Sequence, residues 1–198
     1  MPKTTDTKKH LPTSDRIYDA AVSLMFERGY HGTSMRDVAS SVGIQMSSLY
    51  HHFPSKQALL FSIMNQTMDD LIANARVAFA IEGSPREKLI SGITSHVNFH
   101  AQNNMENFIT DSELRSLEPE ERRLIVAKRD NYSALFRAVI EDGQSQGQFR
   151  QADTSVALAA LFSMISSVPA WFKPSGRLSL DSVAQEISFL FLDGLTRN

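Results

Sequence analysis

The 198 residues carry 20 Lys+Arg against 22 Asp+Glu, 42% hydrophobic residues and no cysteine. The missing cysteines exclude a disulfide scaffold, a zinc–thiolate site, an iron–sulfur cluster and a cysteine nucleophile. The length suits one ordinary domain, or a small module joined to a larger one, and the net charge of −2 excludes a wholly basic coat protein but not a local basic face. Residues 1–60 hold seven Lys/Arg and five Asp/Glu, a net of +2, so the remainder carries −4; four of the six histidines (His10, His31, His51, His52) also lie early. This mild asymmetry points to an anion met by the N-terminal part. No run reaches the ~18 consecutive apolar residues of a membrane span, and the polar N-terminus lacks the apolar core of a secretory signal. The expectation is a cytoplasmic protein with no membrane partner.

Residues 1–12 read as a flexible tail. From Ser14 the apolar spacing turns helical through Ile17, Ala20, Ala21, Leu24 and Met25, and Gly29 closes that helix. Thr33-Ser34 supplies hydroxyl caps for a short helix carrying Met35, Val38 and Ala39, and Gly43 ends it. A third short helix carries Leu49 and Phe53, and Pro54 stops it. Ser55 is placed to cap a long fourth helix through Leu59, Leu60, Ile63, Met64, Met68, Leu71 and Ile72. Further helices are predicted over about 85–103, 118–142, 153–171 and 179–196, with Pro119-Glu120-Glu121 as a helix start and Asp153 and Ser179 as caps. Strand alternation and hairpin signals are missing. The fold class is all-α.

The informative stretch runs from Thr33 to Lys56. Two short helices separated by a glycine turn form a helix-turn-helix, whose second helix lies in a major groove with its N-terminal residues at the base edges. Close approach asks for small polar residues there, and Gln45, Met46, Ser47 and Ser48 follow the turn. Phosphates ask for hydroxyls, polar-tipped rings and ammonium groups, which Thr33, Tyr50, His51 and Lys56 supply. Gln45 either touches a base, where its amide suits adenine, or caps the helix.

Through Ala20-Ala21, Phe26, Gly29-Tyr30, Thr33, Val38-Ala39, Val42-Gly43-Ile44, Leu49-Tyr50-His51-His52-Phe53 and Ser55-Lys56, the run Ser14–Leu60 resembles the DNA-binding domain of the TetR family of bacterial transcriptional regulators. Ile44-Gln45-Met46 departs slightly from the small residues usual after the turn glycine. The resemblance implies a helix-turn-helix domain over 13–58, a helical ligand-binding and dimerisation domain over 59–198, and a homodimer on a palindromic double-stranded DNA operator. It implies phosphate contacts at Thr33, Tyr50, His51 and Lys56, and base-proximal positions at Arg36, Gln45, Ser47 and Ser48; Ser34, beside Thr33, joins the DNA-binding set.

Beyond that domain, the helix from Asp153 presents Ala157, Ala160, Leu161, Met164, Ile165 and Val168, and the last helix Val183, Ile187, Leu190, Phe191 and Leu195. These stripes suit either a four-helix contact in a twofold dimer or packing within one chain. His96-Val-Asn-Phe-His100, Asp111–Leu117, Arg129-Asp-Asn-Tyr132, Gly147-Gln-Phe149 and Trp171–Ser179 are similar to TetR-type regulators of fatty-acid and steroid catabolism that sense acyl-CoA thioesters. That resemblance implies a repressor released by such an effector. Phe99, Met105, Phe108, Phe136 and Met164 would form the apolar slot, Arg129, Lys173 and Arg177 the charge, and Trp171 an aromatic surface. The alternative is a TetR-type regulator of an efflux or stress gene answering drugs or other hydrophobic compounds.

Three features invite other readings. His96 and His100 have the i, i+4 spacing of paired metal ligands, but no HExxH glutamate lies between them, so a pocket wall or polar core contact is expected and no metal. Gly143-Gln-Ser145-Gln-Gly147 matches the G-x-S-x-G nucleophile elbow, which would make the chain a small helical esterase using Ser145; that motif needs a strand-to-helix turn, and here the glycines should end a helix. Pro169 reads as a kink or as the practical end of its helix. No catalytic residue and no cofactor is expected.

Overall fold

In α1 (Thr13–Arg28) the residues Ile17, Ala21, Val22 and Met25 recur at helical spacing and all four are buried, with Asp15 in the first turn and Arg28 in the last, as the helix dipole favours. The computed structural model that shows this describes residues 11–195; the lysines of the expected tail, Lys3, Lys8 and Lys9, lie outside the described residues. α2 (Met35–Val42) opens on a complete capping box: the Asp37 backbone N–H donates to Ser34 Oγ, and the Asp37 carboxylate accepts from the Ser34 backbone. Hydrogen bonding to Ser34 holds the Asp37 carboxyl below its ordinary range. Gly43 then takes a left-handed conformation (φ 73°, ψ 40°), which ends α2 without the steric cost that a side-chain-bearing residue would meet there. α3 (Met46–His52) follows, with Phe53 as its C-cap rather than within it. Ser55 Oγ accepts from the Ala58 N–H at 3.0 Å and so starts α4 (Lys56–Phe79) where the sequence predicts.

Every regular element among the described residues is helical, as expected, through α5 (Pro85–Gln102), α6 (Asn104–Ser112), a 3₁₀ turn (Leu114–Ser116), α7 (Pro119–Ser145), α8 (Thr154–Ser166), α9 (Val168–Trp171) and α10 (Leu180–Leu195). The chain forms two compact units. One comprises the described part of Met1–Thr67 together with Met105–Ile125, and the other Met68–Asn104 with Val126–Asn198 as far as it is described. The 58/59 boundary expected from sequence falls inside the continuous α4.

In the first unit α1 packs on α2 and α2 on α3. Arg16 Nη2 donates to the Val42 carbonyl at 2.6 Å and ties α1 to the end of α2. The later segment joins this unit through Phe26 and Phe108, whose rings meet edge to face at 5.3 Å. Gln57 Nε2 donates to the Ser116 carbonyl and to Glu121 Oε2, each at 3.2 Å.

In the second unit α5 packs against α10, α8 and α9. Asp153 caps α8 by accepting from the N–H groups of Ser155 and Val156, and Ser179 Oγ accepts from the Ser182 N–H. The predicted 153–171 helix is two: α8 stops at Ser166, and Pro169, which has no N–H to donate, sits in the first turn of the short α9. Contrary to expectation, α7 runs through Gly143 to Ser145. Gly143 is needed there for space, because a Cβ would lie 2.2 Å from the Phe149 ring. The window Thr154–Trp171 is, by length and composition, apolar enough for a membrane span (mean hydropathy 1.4), which the count of consecutive apolar residues does not reveal; 28% of it is buried within the chain. The apolar stripes of α8 and α10 divide. Ala157, Leu161, Ile165, Val168, Val183, Ile187, Phe191 and Leu195 are buried within the chain, while Ala160, Val156 (68% exposed) and Leu190 (68%) face outward.

Candidate nucleic-acid interface and ligand groove

α3 turns one side chain inward, the fully buried Leu49, which anchors it on the first unit's core. Gln45, Ser47, Ser48, Tyr50, His51 and His52 are exposed, and Met46 is half-buried. Gln45 occupies the N-cap position without a side-chain cap bond, so its amide is not spent on starting the helix. Tyr50, 48% exposed, borders a groove of about 570 Å³ lined also by His31, Gly32, Thr33, Ser34, Met35, Arg36, Met46 and Lys56. The structure thus brings together five of the nine predicted DNA-binding residues: Thr33, Ser34, Arg36, Tyr50 and Lys56. Gln45, Ser47, Ser48 and His51 share α3 and its N-cap outside that groove.

Three of the five already have internal work, Ser34 through the capping box of α2. Thr33 is buried, and its hydroxyl donates to the Gly29 carbonyl at 3.0 Å. Lys56 Nζ donates to the carbonyls of Tyr30 and Thr33, both at 2.9 Å, and lies 4.2 Å from the centre of the Tyr30 ring. The ammonium therefore braces the α1–α2 connection while placing a positive charge in the groove wall. Met46, which the sequence places at the start of the second helix, also lines the groove, as does His31, which sequence reasoning misses because it has no motif signal of its own.

The second unit encloses an aromatic cluster. His96 Nδ1 pairs with the Tyr132 hydroxyl at 2.7 Å and Nε2 with Ser166 Oγ at 3.2 Å, and its ring stacks on His100 at 4.0 Å. Burial, reinforced by His100, holds the His96 imidazole well below its usual range; burial pushes His100 down to about 4 and raises the Tyr132 phenol. Phe136 is fully buried, edge-on to Phe79 at 4.9 Å and to Phe162 at 5.2 Å. The histidine pair is thus a polar core contact, one of the two outcomes expected from its spacing. Tyr132, Ser166 and Phe162 complete it from 36 to 70 residues away, a separation that no local pattern reports.

The predicted ligand residues separate. Phe99 and Phe136 are buried in the second unit, and Met164 and Arg129 are half-buried there, whereas Met105 and Phe108 are exposed residues of the first unit, Phe108 packing on Phe26. Trp171, Lys173 and Arg177 come together in one groove of about 270 Å³, with Phe172, Gly176, Leu178 and Val183 as its other walls. The Trp171 indole N–H donates to Ser167 Oγ at 3.4 Å, the residue is 52% exposed, and the Gly176 N–H closes a turn onto the Lys173 carbonyl at 2.8 Å. Two exposed cations beside an aromatic plate form a surface for a planar anion.

Residues 17–63 match the model of the bacterial regulatory proteins of the tetR family, and residues 82–195 that of the tetracyclin repressor-like C-terminal domain. The chain belongs to the TetR family of transcriptional regulators. The HTH-type transcriptional repressor KstR2 of Rhodococcus jostii is 30% identical over 98% of this chain and 96% of its own length. The TetR-family regulator PfmR of Thermus thermophilus has a TM-score of 0.84 and 33% identity, over 92% of this chain and all of its own. AibR, solved in complex with isovaleryl coenzyme A and operator DNA, has a TM-score of 0.82 and 28% identity, over 90% of this chain and 97% of its own. TetR-family proteins of this kind are DNA-binding regulators, not enzymes, and the esterase alternative falls with that assignment. Ser145 Oγ donates to the Asp142 carbonyl at 2.8 Å at the end of α7, a helical setting without the strand-to-helix turn that a nucleophile elbow needs.

Proposed function

We propose that this TetR-family chain is a homodimeric cytoplasmic repressor, released from a pseudo-palindromic operator by an acyl-CoA thioester. The observation that carries the effector class is the gathering of Trp171, Lys173 and Arg177 into one groove, because an adenine ring and its phosphates ask for an aromatic plate and fixed cations. A relative solved with isovaleryl coenzyme A and operator DNA supports the same class. Phe99, Phe136 and Met164 would wall the acyl chain.

On this reading residues 13–58 form the DNA-binding domain and 59–198 the effector-binding and dimerisation domain. Ser47, Ser48 and Gln45 approach base edges, Arg36 lies beside them, and Tyr50, His51, Thr33, Ser34 and Lys56 hold or frame the phosphate contacts. The dimer uses the outward residues of α8 and α10, Val156, Ala160 and Leu190, since two recognition helices must reach half-sites ~34 Å apart. Effector binding favours a dimer whose recognition helices are misspaced for two major grooves, so operator affinity falls.

The test mixes purified protein with fragmented genomic DNA of its source and sequences what is retained. A shared pseudo-palindrome, released by an acyl-CoA thioester but not by free coenzyme A, is the expected result. Release by hydrophobic drugs and not by thioesters would favour the efflux or stress regulator; no enrichment at moderate salt would contradict the operator assignment.

A further inference from the structure

The second unit holds one buried polar side chain whose hydrogen bonding is incomplete. His100 is 7% exposed, yet no described residue gives its ring nitrogens a hydrogen bond. Among the described residues no fully enclosed side-chain nitrogen or oxygen lacks a partner, so the nitrogens of His100 border accessible space. The ring has little freedom. It stacks on His96 at 4.0 Å and 21°, and His96 is itself pinned by Tyr132 at 2.7 Å and Ser166 at 3.2 Å. The neighbouring Phe99 ring lies edge-on to it at 6.3 Å.

An imidazole held in place before its partner arrives loses little entropy on binding. Its environment also sets the charge of that partner. Burial keeps His100 neutral at physiological pH, so the ring offers one N–H donor and one acceptor but no cation. A carboxylate brought here would give up its hydration beside a neutral ring, whereas a carbonyl or hydroxyl would find what it needs.

From this geometry we infer that His100 is the hydrogen-bonding receptor for the neutral carbonyl of the effector's thioester, and that the His96–Tyr132–Ser166 contacts position it. The inference rests on the thioester reading above and adds to it a discrimination: His100 favours the thioester over the free carboxylate of the same acyl group.

Full-length protein is titrated with isovaleryl-, octanoyl- and palmitoyl-CoA, and with the matching free acids, by calorimetry. At least one thioester binds, more tightly than its acid. His100→Phe keeps the ring and lowers that affinity about tenfold, as the loss of one buried hydrogen bond should; His100→Gln, which keeps a neutral donor and acceptor, recovers most of it. Operator binding and the thermal midpoint of each variant report its folding. Should His100→Phe fail to fold, wild-type protein labelled with ¹⁵N-histidine gives the answer, since thioester must shift the ring signals that His100→Gln removes. Wild-type protein that binds no thioester overturns the thioester reading and this inference with it. Thioester binding left unchanged in His100→Phe, ring signals unmoved by bound thioester, or free acids bound as tightly as thioesters overturn the inference alone.

Discussion

α3 and α5 use polar residues in opposite ways. α3 buries Leu49 alone and leaves serines, a tyrosine and two histidines in water, where they add nothing to the core. α5 buries eight residues, including His96 and His100, and there the same residue type is enclosed, stacked and depressed in pKa. On α3 the core side chain and the polar side chains are different residues; on α5 two polar side chains are part of the core. Surface substitutions on α3 should therefore change binding without changing stability, whereas substitutions around α5 should change both.

The largest expected effect lies beside α5. Phe136→Ala removes a fully buried ring from the cluster and should cost about 3–5 kcal/mol, read as a lower urea midpoint at constant slope. Acid should expose the histidine pair next. Both folded-state pKa values lie below the unfolded value of about 6.5, so their contribution is complete above that pH and is lost as pH falls toward 4 and lower. Unfolding free energy should drop by about 1.4 kcal/mol per pH unit for each histidine once the unfolded form is protonated, and His100→Phe should lessen that slope. A flat profile between pH 6.5 and 4.5 would break the comparison.

The helix-turn-helix was legible in the sequence because its signals are local. Ser34, Gly43 and Ser55 each act within a few residues and appear where the sequence put them, and Asp37 completes the Ser34 cap. The predicted helices end at about 103 and resume at 118, leaving α6 unassigned, and Met105 and Phe108 enter the slot only through the resemblance. Phe108 instead meets Phe26, and His96 meets Ser166 across 70 residues, contacts that helical period does not encode. The α8 stripe leaves its two uses open for a related reason. α8 is apolar nearly all round, so periodicity cannot tell its inward face from its outward one.

Smaller effects sharpen the other side of the comparison. Ser34→Ala breaks the α2 capping box and should cost about 1 kcal/mol, with a weaker hold on operator DNA. Ser48→Ala should change stability by less than about 0.5 kcal/mol, because the side chain is exposed, while lowering operator affinity in a fluorescence-anisotropy titration. Equal loss of stability and binding in Ser48→Ala would mean that α3 is not a free recognition surface.

The most direct test of the account as a whole is release of bound operator by an acyl-CoA thioester, measured for wild-type protein and for Arg177→Ala. The variant should bind operator as tightly as wild type, since Arg177 lies in the groove of the second unit, and should need several-fold more thioester for half-release. Identical release curves, or operator affinity lost in Arg177→Ala, would contradict the division of the chain into a DNA-reading face and a separate effector site.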